Sequence, residues 1–515
     1  MKLKKSKLSI VAFMAIMGVS TSSYGANFTV STSDDDGTGA IANTLSWAIL
    51  QANQAAGLDT ITLGTDVNIT GVMKTLIDSD ITIQSDGISR TISGDDKYRP
   101  LFIKSGQVII KDMTISHGKA KGGDNMDGGA GAGLGGGVFV YDGNVTIDNV
   151  TFDSDNATGG STNVKISSSY GDGGAGMYGD SNYVGGAGLF ASSSSYDGAY
   201  GGSGNYGGSA GSQGEPIGGA GGFAGGGGPG YSYSATAIGG AGGFGAGGGF
   251  AYSYENTATG GAGGFGAGGG FAYSYENTAT GGAGGFGAGG GGAGTEDGTA
   301  IAGIGGYGGA DATGYYGGAG AGFGGALFAM AGTTTLNNVT FLNNSVTAGV
   351  GNAPGSDGMA KAADVFICTD TIHPTAALCS AKVNFCGTTN STEIIGTTGS
   401  VCPTDPTPID PTPTDTAKYD VSIDGVVSSV TAEDIPGAKA SIDINGNHII
   451  IATYNTYTAV VTTTPTGETT AVITNADGTV ISTQVYPIGV SISIIVLNGQ
   501  LVVRVNIQTN NFVIN

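Results

Sequence analysis

Apolar side chains fall at Ile110, Met113 and Ile115, and the same spacing recurs at Ile147, Val150 and Phe152 and at Leu336, Val339 and Phe341. Alternation within a strand puts every second residue on one face, and a two-residue interruption turns the chain without losing that face. The interrupting pairs are Lys111-Asp112, Asp148-Asn149 and Asn337-Asn338, short polar residues that hydrogen-bond local backbone at bends. Brief β-branched runs at 61–63, 81–83, 101–103 and 108–110, separated by polar or glycine turns, extend the pattern. The prediction is a stack of short-stranded coils. One stretch breaks it. In NTLSWAILQANQAAG, residues 43–57, Leu45, Ala48, Ile49 and Ala52 share a helical face, Thr44 can cap the start and Gly57 can end it. A helix there would cover the open end of the core.

The string GGAGGFGAGGGFAYSYENTAT runs from Gly239 to Thr259 and again, unchanged, from Gly260 to Thr280. A degenerate copy begins at Gly218 and a truncated one at Gly281, so one copy occupies 21 residues, a comfortable length for one turn of a repeat fold. Glycine runs of this kind can stack as strands, form extended three-fold helices bonded to their neighbours, or stay as flexible loops. Phe244, Phe250, Phe265 and Phe271 recur at positions suited to apolar ladders. Tyr252, Ser253, Tyr254 and Glu255 can present a repeating polar-aromatic face, of which Tyr252, Tyr254 and Glu255, with their copies Tyr273, Tyr275 and Glu276, form the candidate binding face. Around this insert, GGAGAGLGGGVFVYDGNVTIDNVTF from Gly128 parallels GGAGAGFGGALFAMAGTTTLNNVTF from Gly317, so two nearly matching coils bracket it.

The ends and the charge bound the rest. Lys2, Lys4, Lys5 and Lys7 precede an apolar run from Leu8 to Val19 and then small residues, the layout of a secretory leader cleaved after Gly25 or after Ala26. No later stretch is apolar enough for a transmembrane helix. With 40 acidic against 18 basic residues the formal net charge is −22, a surface that repels nucleic acid. Cys368, Cys379, Cys386 and Cys402 lie in one short segment without a zinc-type spacing, and in an exported chain they read as two disulfides with three possible connectivities. Five prolines between Pro403 and Pro413 make a stiff spacer. Beyond it, Asn445-Gly446 and Asn498-Gly499 signal hairpins of a small antiparallel β domain.

NFTVSTSDDDGTGAIANTLSWAILQANQAAGLDTITL and RTISGDDKYRPLFIKSGQVIIKDMTISHGKAKGG resemble the N-terminal part of bacterial secreted right-handed parallel β-helix proteins. Passengers of polymorphic outer-membrane proteins and adhesin-like autotransporters belong to that group. The resemblance covers about residues 27–160 and resumes at 317–367. It implies an exported solenoid displayed at a surface. The chain departs from the group in its long glycine-rich insert and in carrying no C-terminal membrane-barrel pattern. The expected organisation is a leader (1–26), N-terminal coils with a capping helix (27–160), the repeat region (161–316), C-terminal coils (317–367), the cysteine segment (368–402), a linker (403–418) and the C-terminal β domain (419–515).

Each candidate catalytic constellation also has an ordinary structural reading. Arg90 and Arg99 flank Asp95, Asp96 and Lys97, a mixed-charge cluster that also reads as a solvated turn. A hydrolase needs paired carboxylates on neighbouring coils; no pair stands out, and Asp153 and Asp155 sit at a coil margin where polar residues are expected. His117 suits a coil corner, while His373 and His448 have no acid–nucleophile company. Asp34-Asp35-Asp36 lacks the alternating ligands of a calcium loop. No catalytic, cofactor or metal residue is assigned. The expectation is an exported surface or matrix protein, adhesin-like or structural, whose partner is a surface ligand such as a glycan or a host or matrix protein. The runner-up is a carbohydrate-active β-helix enzyme, a polysaccharide lyase or hydrolase.

Overall fold

The computed structural model describes residues 25–163, 171–181, 184–193, 216–369, 379–389, 391, 393–396, 398–399, 417–423, 426–432, 439–442, 447–454, 457–464, 468–475, 479–486, 491–497 and 500–506. The leader up to residue 24, His373, Cys402, most of the spacer and the residues of both Asn-Gly turns lie outside them. The chain forms two compact units that meet in sequence at Pro403–Thr404.

The first unit is nearly all β, and its strands pair in parallel. Its largest sheet runs Asn27–Val30, Asp59–Leu63, Ile81–Ser85, Gln107–Ser116, Asn144–Asp153, Thr333–Asn337, Lys382–Cys386 and Thr398–Gly399. A second runs Ile77–Asp78, Leu101–Ser105, Val138–Val140, Leu327–Ala329, Val365–Ile367 and Ile394–Ile395, and a third joins Lys119–Lys121, Asn156–Thr158 and Ser345–Thr347. From Ile77 on the chain passes between the first two sheets in turn, and three of these passes add a strand to the third. The apolar triads sit in register: Ile147 pairs with Ile110 and Leu336, Val150 with Met113, and Phe152 with Ile115 and Phe341. All nine triad side chains join one buried core. At the corners Asp112, Asn149 and Asn338 take left-handed φ values of 59°, 52° and 51°, conformations that Asn and Asp tolerate best among side-chain-bearing residues. Asn149 Nδ2 donates to Asp112 Oδ1 at 2.9 Å and Asn337 Nδ2 to Asp148 Oδ1 at 2.8 Å, so the polar corners form a ladder of their own.

The helix spans Leu45–Ala52 and puts Leu45, Ala48, Ile49 and Ala52 into the same core. Thr44 caps it by accepting Trp47 N–H at 3.3 Å. It stops at Asn53 rather than at Gly57, because the Asn53 side chain is engaged elsewhere: Nδ2 donates to Leu76 O and Oδ1 accepts Asp78 N–H. The rungs also continue past residue 367, since Lys382–Cys386 pairs with Thr333–Asn337 and brings the cysteine segment into the stack.

The two bracketing segments stack directly on each other, 189 residues apart. The insert leaves the stack between them and folds against its side. Three consecutive glycines of one copy donate in three directions, Gly247 to Ala187 O, Gly248 to Gly268 O and Gly249 to Gly240 O. Gly268, Gly269 and Gly270 repeat this toward Ala175, Gly289 and Gly261, and Gly289, Gly290 and Gly291 toward Ala130, Ala310 and Gly282. Donors rotating by a third of a turn per residue belong to extended helices with three residues per turn, packed as a bundle and bonded only to each other. Between the paired runs each copy adds two short parallel strands, Ala251–Ser253 and Ala258–Thr259 in one copy, stacked on those of the next around an alanine core. The copies of Phe244 form a ladder, Phe223–Phe244–Phe265–Phe286–Tyr307, with centroids 4.9–5.6 Å apart. It crosses a second ladder on the outer face of the rungs, Phe102–Phe139–Phe328–Phe366. Aromatic edges on aromatic faces hold the insert to the stack, as with Phe286 on Phe328 at 5.9 Å and 68°.

The second unit has an antiparallel five-stranded sheet from Lys439–Ile442 to Val480–Tyr486. The strands flanking each predicted hairpin pair as expected, Ile442 with His448 and Leu497 with Gln500. Its other sheet, Ala417–Ile423, Val426–Ala432, Ser491–Leu497 and Gln500–Asn506, departs from the wholly antiparallel expectation. Val426–Ala432 and Ser491–Leu497 run parallel, because the five-stranded sheet lies between them in sequence and serves as the crossover.

Two substitutions test this packing. A Cβ at Gly268 would lie 1.8 Å from Gly129 O, with no side chain able to move aside. Gly268→Ala would gain about 0.4–1 kcal/mol from a stiffer unfolded chain yet should lose about 3 kcal/mol or more to overpacking, read as a fall in Tm, while Ala262→Ser on the exposed surface should be neutral. Phe152→Asp should cost several kcal/mol in the same assay by placing a charge in a fully buried site. Parent-like melting of either buried variant would refute the assigned packing.

Candidate functional site

Within each copy the alternation of strand side chains sends Ser253 inward and Tyr252 and Tyr254 outward. Ser253, expected on the exposed face, is instead fully buried, because it falls on the inward side of the alternation; it donates to Ala235 O at 2.8 Å and accepts Asn256 N–H at 3.2 Å. Ser274 repeats this with Asn256 O and Asn277 N–H. The buried serines thus fix the turn that carries the exposed residues. Backbone bonds run from copy to copy through the same turn: Glu255 N–H to Tyr233 O, Tyr275 N–H to Ser253 O and Glu276 N–H to Tyr254 O.

The result is a set of columns. Tyr233, Tyr254 and Tyr275 stack with centroids 4.8 and 4.6 Å apart and ring planes within 9°. Tyr231, Tyr252 and Tyr273 form a second, more widely spaced column backed by Phe250 and Phe271. Glu255 and Glu276 are exposed beside them. All six residues of the candidate binding face lie together on it. Tyr231, Tyr233, Glu296 and Asp297 were missed, although each sits 21 residues from a chosen position and the degenerate first and last copies were the signal. The columns also have an end. Where a tyrosine would follow Tyr273 the chain has Gly294, and Tyr315 fills its place, 6.1 Å from Phe271. Tyr273 donates its hydroxyl to Glu296 Oε1 at 3.1 Å. Burial first, then that carboxylate, pushes the Tyr273 phenol up, and burial ahead of the neighbouring tyrosines does the same for Tyr252 and Tyr254. The Tyr252, Tyr254 and Tyr273 phenols therefore stay protonated at neutral pH.

The other candidates are held by structural work. Asp35 is buried and accepts Gly37 N–H, Ser46 N–H and the Ser46 hydroxyl, and Asp36 accepts Thr38, so these carboxylates organise the approach to the helix. Arg90 pairs with Asp86 and Lys97 with Asp95, both at 2.7 Å, and His117 meets Asp96 at 3.1 Å across an exposed corner. Arg99 turns inward instead. It donates to Leu134 O and Gly135 O and lies over Phe102 and Phe139, where burial brings its guanidinium down to about 10. With Lys119 and Lys121 it lines a small cleft at the seam between rungs and insert, in which Lys121 pairs with Asp124 at 2.6 Å. Asp153 and Asp155 separate. Asp153 accepts from Ser154 and Asn343, whereas Asp155 is fully buried, accepts Gly118 N–H at 2.7 Å with one oxygen and has no partner for the other. Among the described residues no group of His, Cys, Asp and Glu is placed to hold a metal ion. Cys368 is bonded to Cys379, Cys386 is also in a disulfide, and no described cysteine is free. No described helix is long and apolar enough to cross a membrane.

No protein-family profile matches the chain, and no curated protein or solved structure is significantly similar to it. The β-helix resemblance therefore rests on the residues that carry it and on the parallel rungs.

The Asp155 carboxyl is held well above the usual carboxylate range, chiefly by burial. A folded-state value above the unfolded one means that the folded chain binds the proton more tightly, so this contribution to stability is full below about pH 3.8 and is lost as pH rises through the folded value. Asp155→Asn, whose side-chain oxygen still accepts Gly118 N–H, should stabilise the protein at neutral pH by about 1–3 kcal/mol and lose that advantage in acid. Tm measured against pH decides. Equal profiles would mean that Asp155 is compensated in the fold.

Proposed function

We propose that the chain is an exported surface or extracellular-matrix protein that adheres through the columned face of its repeats, on rungs that wind as a right-handed parallel β-solenoid. Successive parallel strands that recur in the same two sheets and share one buried core support the winding. The leader pattern and the oxidised cysteines support export.

The observation that carries the adhesive reading is the tyrosine column at steps of 4.6–4.8 Å. Its rings cover one another's faces, so ring edges and hydroxyls point outward. Such a row cannot grip a single small ligand by stacking. It matches a ligand that itself repeats, an extended polysaccharide whose hydroxyls meet successive tiers. Each tier gives a weak contact, and the tiers together give avidity. Glu255, Glu276 and Asp297 line the same turns and disfavour anionic chains, which points to a neutral or amino-bearing glycan.

Binding to immobilised neutral and amino glycans, read against variants, tests this. Tyr254→Phe with Tyr275→Phe keeps the stack and removes two hydroxyls; it should weaken binding about tenfold and nearly as much as the double alanine change, with Tm close to the parent. Retained binding in the phenylalanine variant would refute recognition by the hydroxyl row. Retained binding in the alanine variant would move the site off this face.

A further inference from the structure

Asp59 is fully buried at the end of the stack beside the first strand. One carboxylate oxygen accepts Ala26 N–H at 2.6 Å, and the other has no hydrogen-bond partner. Ala26 is anchored on its other side too, because its carbonyl accepts Thr60 N–H at 2.8 Å just before Asn27 pairs with Thr60. The preceding Gly25 runs so close to the Leu58 carbonyl that a Cβ there would overlap the oxygen. A buried carboxylate with a single amide donor is under-satisfied and lacks a counter-charge.

The sequence allows leader cleavage on either side of Ala26, and the two choices treat Asp59 oppositely. Cleavage after Ala26 removes the one donor that Asp59 has. Cleavage before it converts an amide with one proton into an ammonium with three, at a carboxylate that has room for them. We infer that processing hydrolyses the Gly25–Ala26 bond and that the new Ala26 α-ammonium becomes the counter-ion of Asp59. The inference rests on the export reading and requires a leader-cleaving peptidase and one water. The water oxygen bonds to the Gly25 carbonyl carbon, the C–N bond breaks, and the nitrogen leaves as an amine. One of the water's protons goes to the nitrogen as it leaves and the other follows from the new carboxyl, to give a carboxylate on the leader and an ammonium on Ala26. An α-amino group with a usual pKa of about 8 is charged at neutral pH. The site is a docking place for the protein's own new end.

Mass and N-terminal sequencing of exported protein should give a chain starting at Ala26. A start at Asn27 would overturn the inference and leave export standing, whereas exported or retained chains that still carry Met1 would overturn both. Hydrogen exchange then reads the docking. Protein with a free Ala26 amine should exchange about tenfold more slowly over residues 26–31 and 58–64 than protein that retains Gly25 or is acetylated at Ala26. Asp59→Asn should abolish that difference between the two forms. If the Asn variant does not fold, the comparison of free with blocked amine stands alone. Equal exchange in those two forms would overturn the inference.

Discussion

The first unit depends on what happens where there is no side chain. A buried backbone must have its N–H and C=O groups paired, and in a sheet they pair in one plane. In the insert they pair in three directions at once, which requires neighbouring chains on every side at backbone contact distance. Cβ atoms built at Gly247, Gly268 and Gly289 would each lie 1.7–1.8 Å from a carbonyl oxygen of another segment. Glycine is therefore the packing unit here and not a source of looseness. Gly247 and Gly268 need no left-handed backbone, so it is the missing Cβ that matters, while Gly245 and Gly266 at the turns, with φ of 70° and 75°, use the other property of the residue.

The same logic accounts for the verbatim copying. Stacked on a neighbour at a fixed offset, each residue meets its own counterpart: phenylalanine on phenylalanine, tyrosine on tyrosine, buried serine under the same turn. A ladder is most regular when its steps are identical. Departures gather at the ends, where Gly294 makes room for Tyr315 and Glu296 takes the place of a tyrosine. The other side of each copy is not uniform, however. Gly247 meets Gly174, Gly268 meets Gly129 and Gly289 meets Gly318, so the copies share one face and differ in their outer partners.

Legibility in the sequence follows the side chains. The rung triads, the corner pairs, the capping helix and the outward tyrosines were readable because period two and period 3.6 leave marks in apolar residues. The bracketing segments were readable as copies, and their direct stacking fulfils that hint. What escaped notice carries no such mark. The partners of the bundle around Gly129, Gly174 and Gly186 are glycine meeting glycine, without a pattern to decode. Arg99 read as surface charge because its acceptors are main-chain carbonyls. The outward direction of the tyrosines follows from period two, but their ring planes depend on the step between copies, which only stacking sets. The helix end moved from Gly57 to Asn53 through tertiary bonds that no local window contains.

The 189-residue gap between adjacent rungs has a consequence for the order of assembly. A chain that emerges from its N-terminus completes Asn144–Asp153 long before Thr333–Asn337 exists to pair with it. Until then that strand is an open edge with unpaired amides and an apolar flank, the kind of surface that recruits other chains. The insert comes next in time and lies beside the outer face of the same rungs, where its aromatic ladder meets Phe139. There it covers Phe102, Phe139 and Tyr141, while the apolar side chains of Asn144–Asp153 belong to the core of the stack. Shortening the loop by condensing it reduces the entropy lost on closing so distant a pair. Closure of the stack therefore waits on the synthesis of all the repeats.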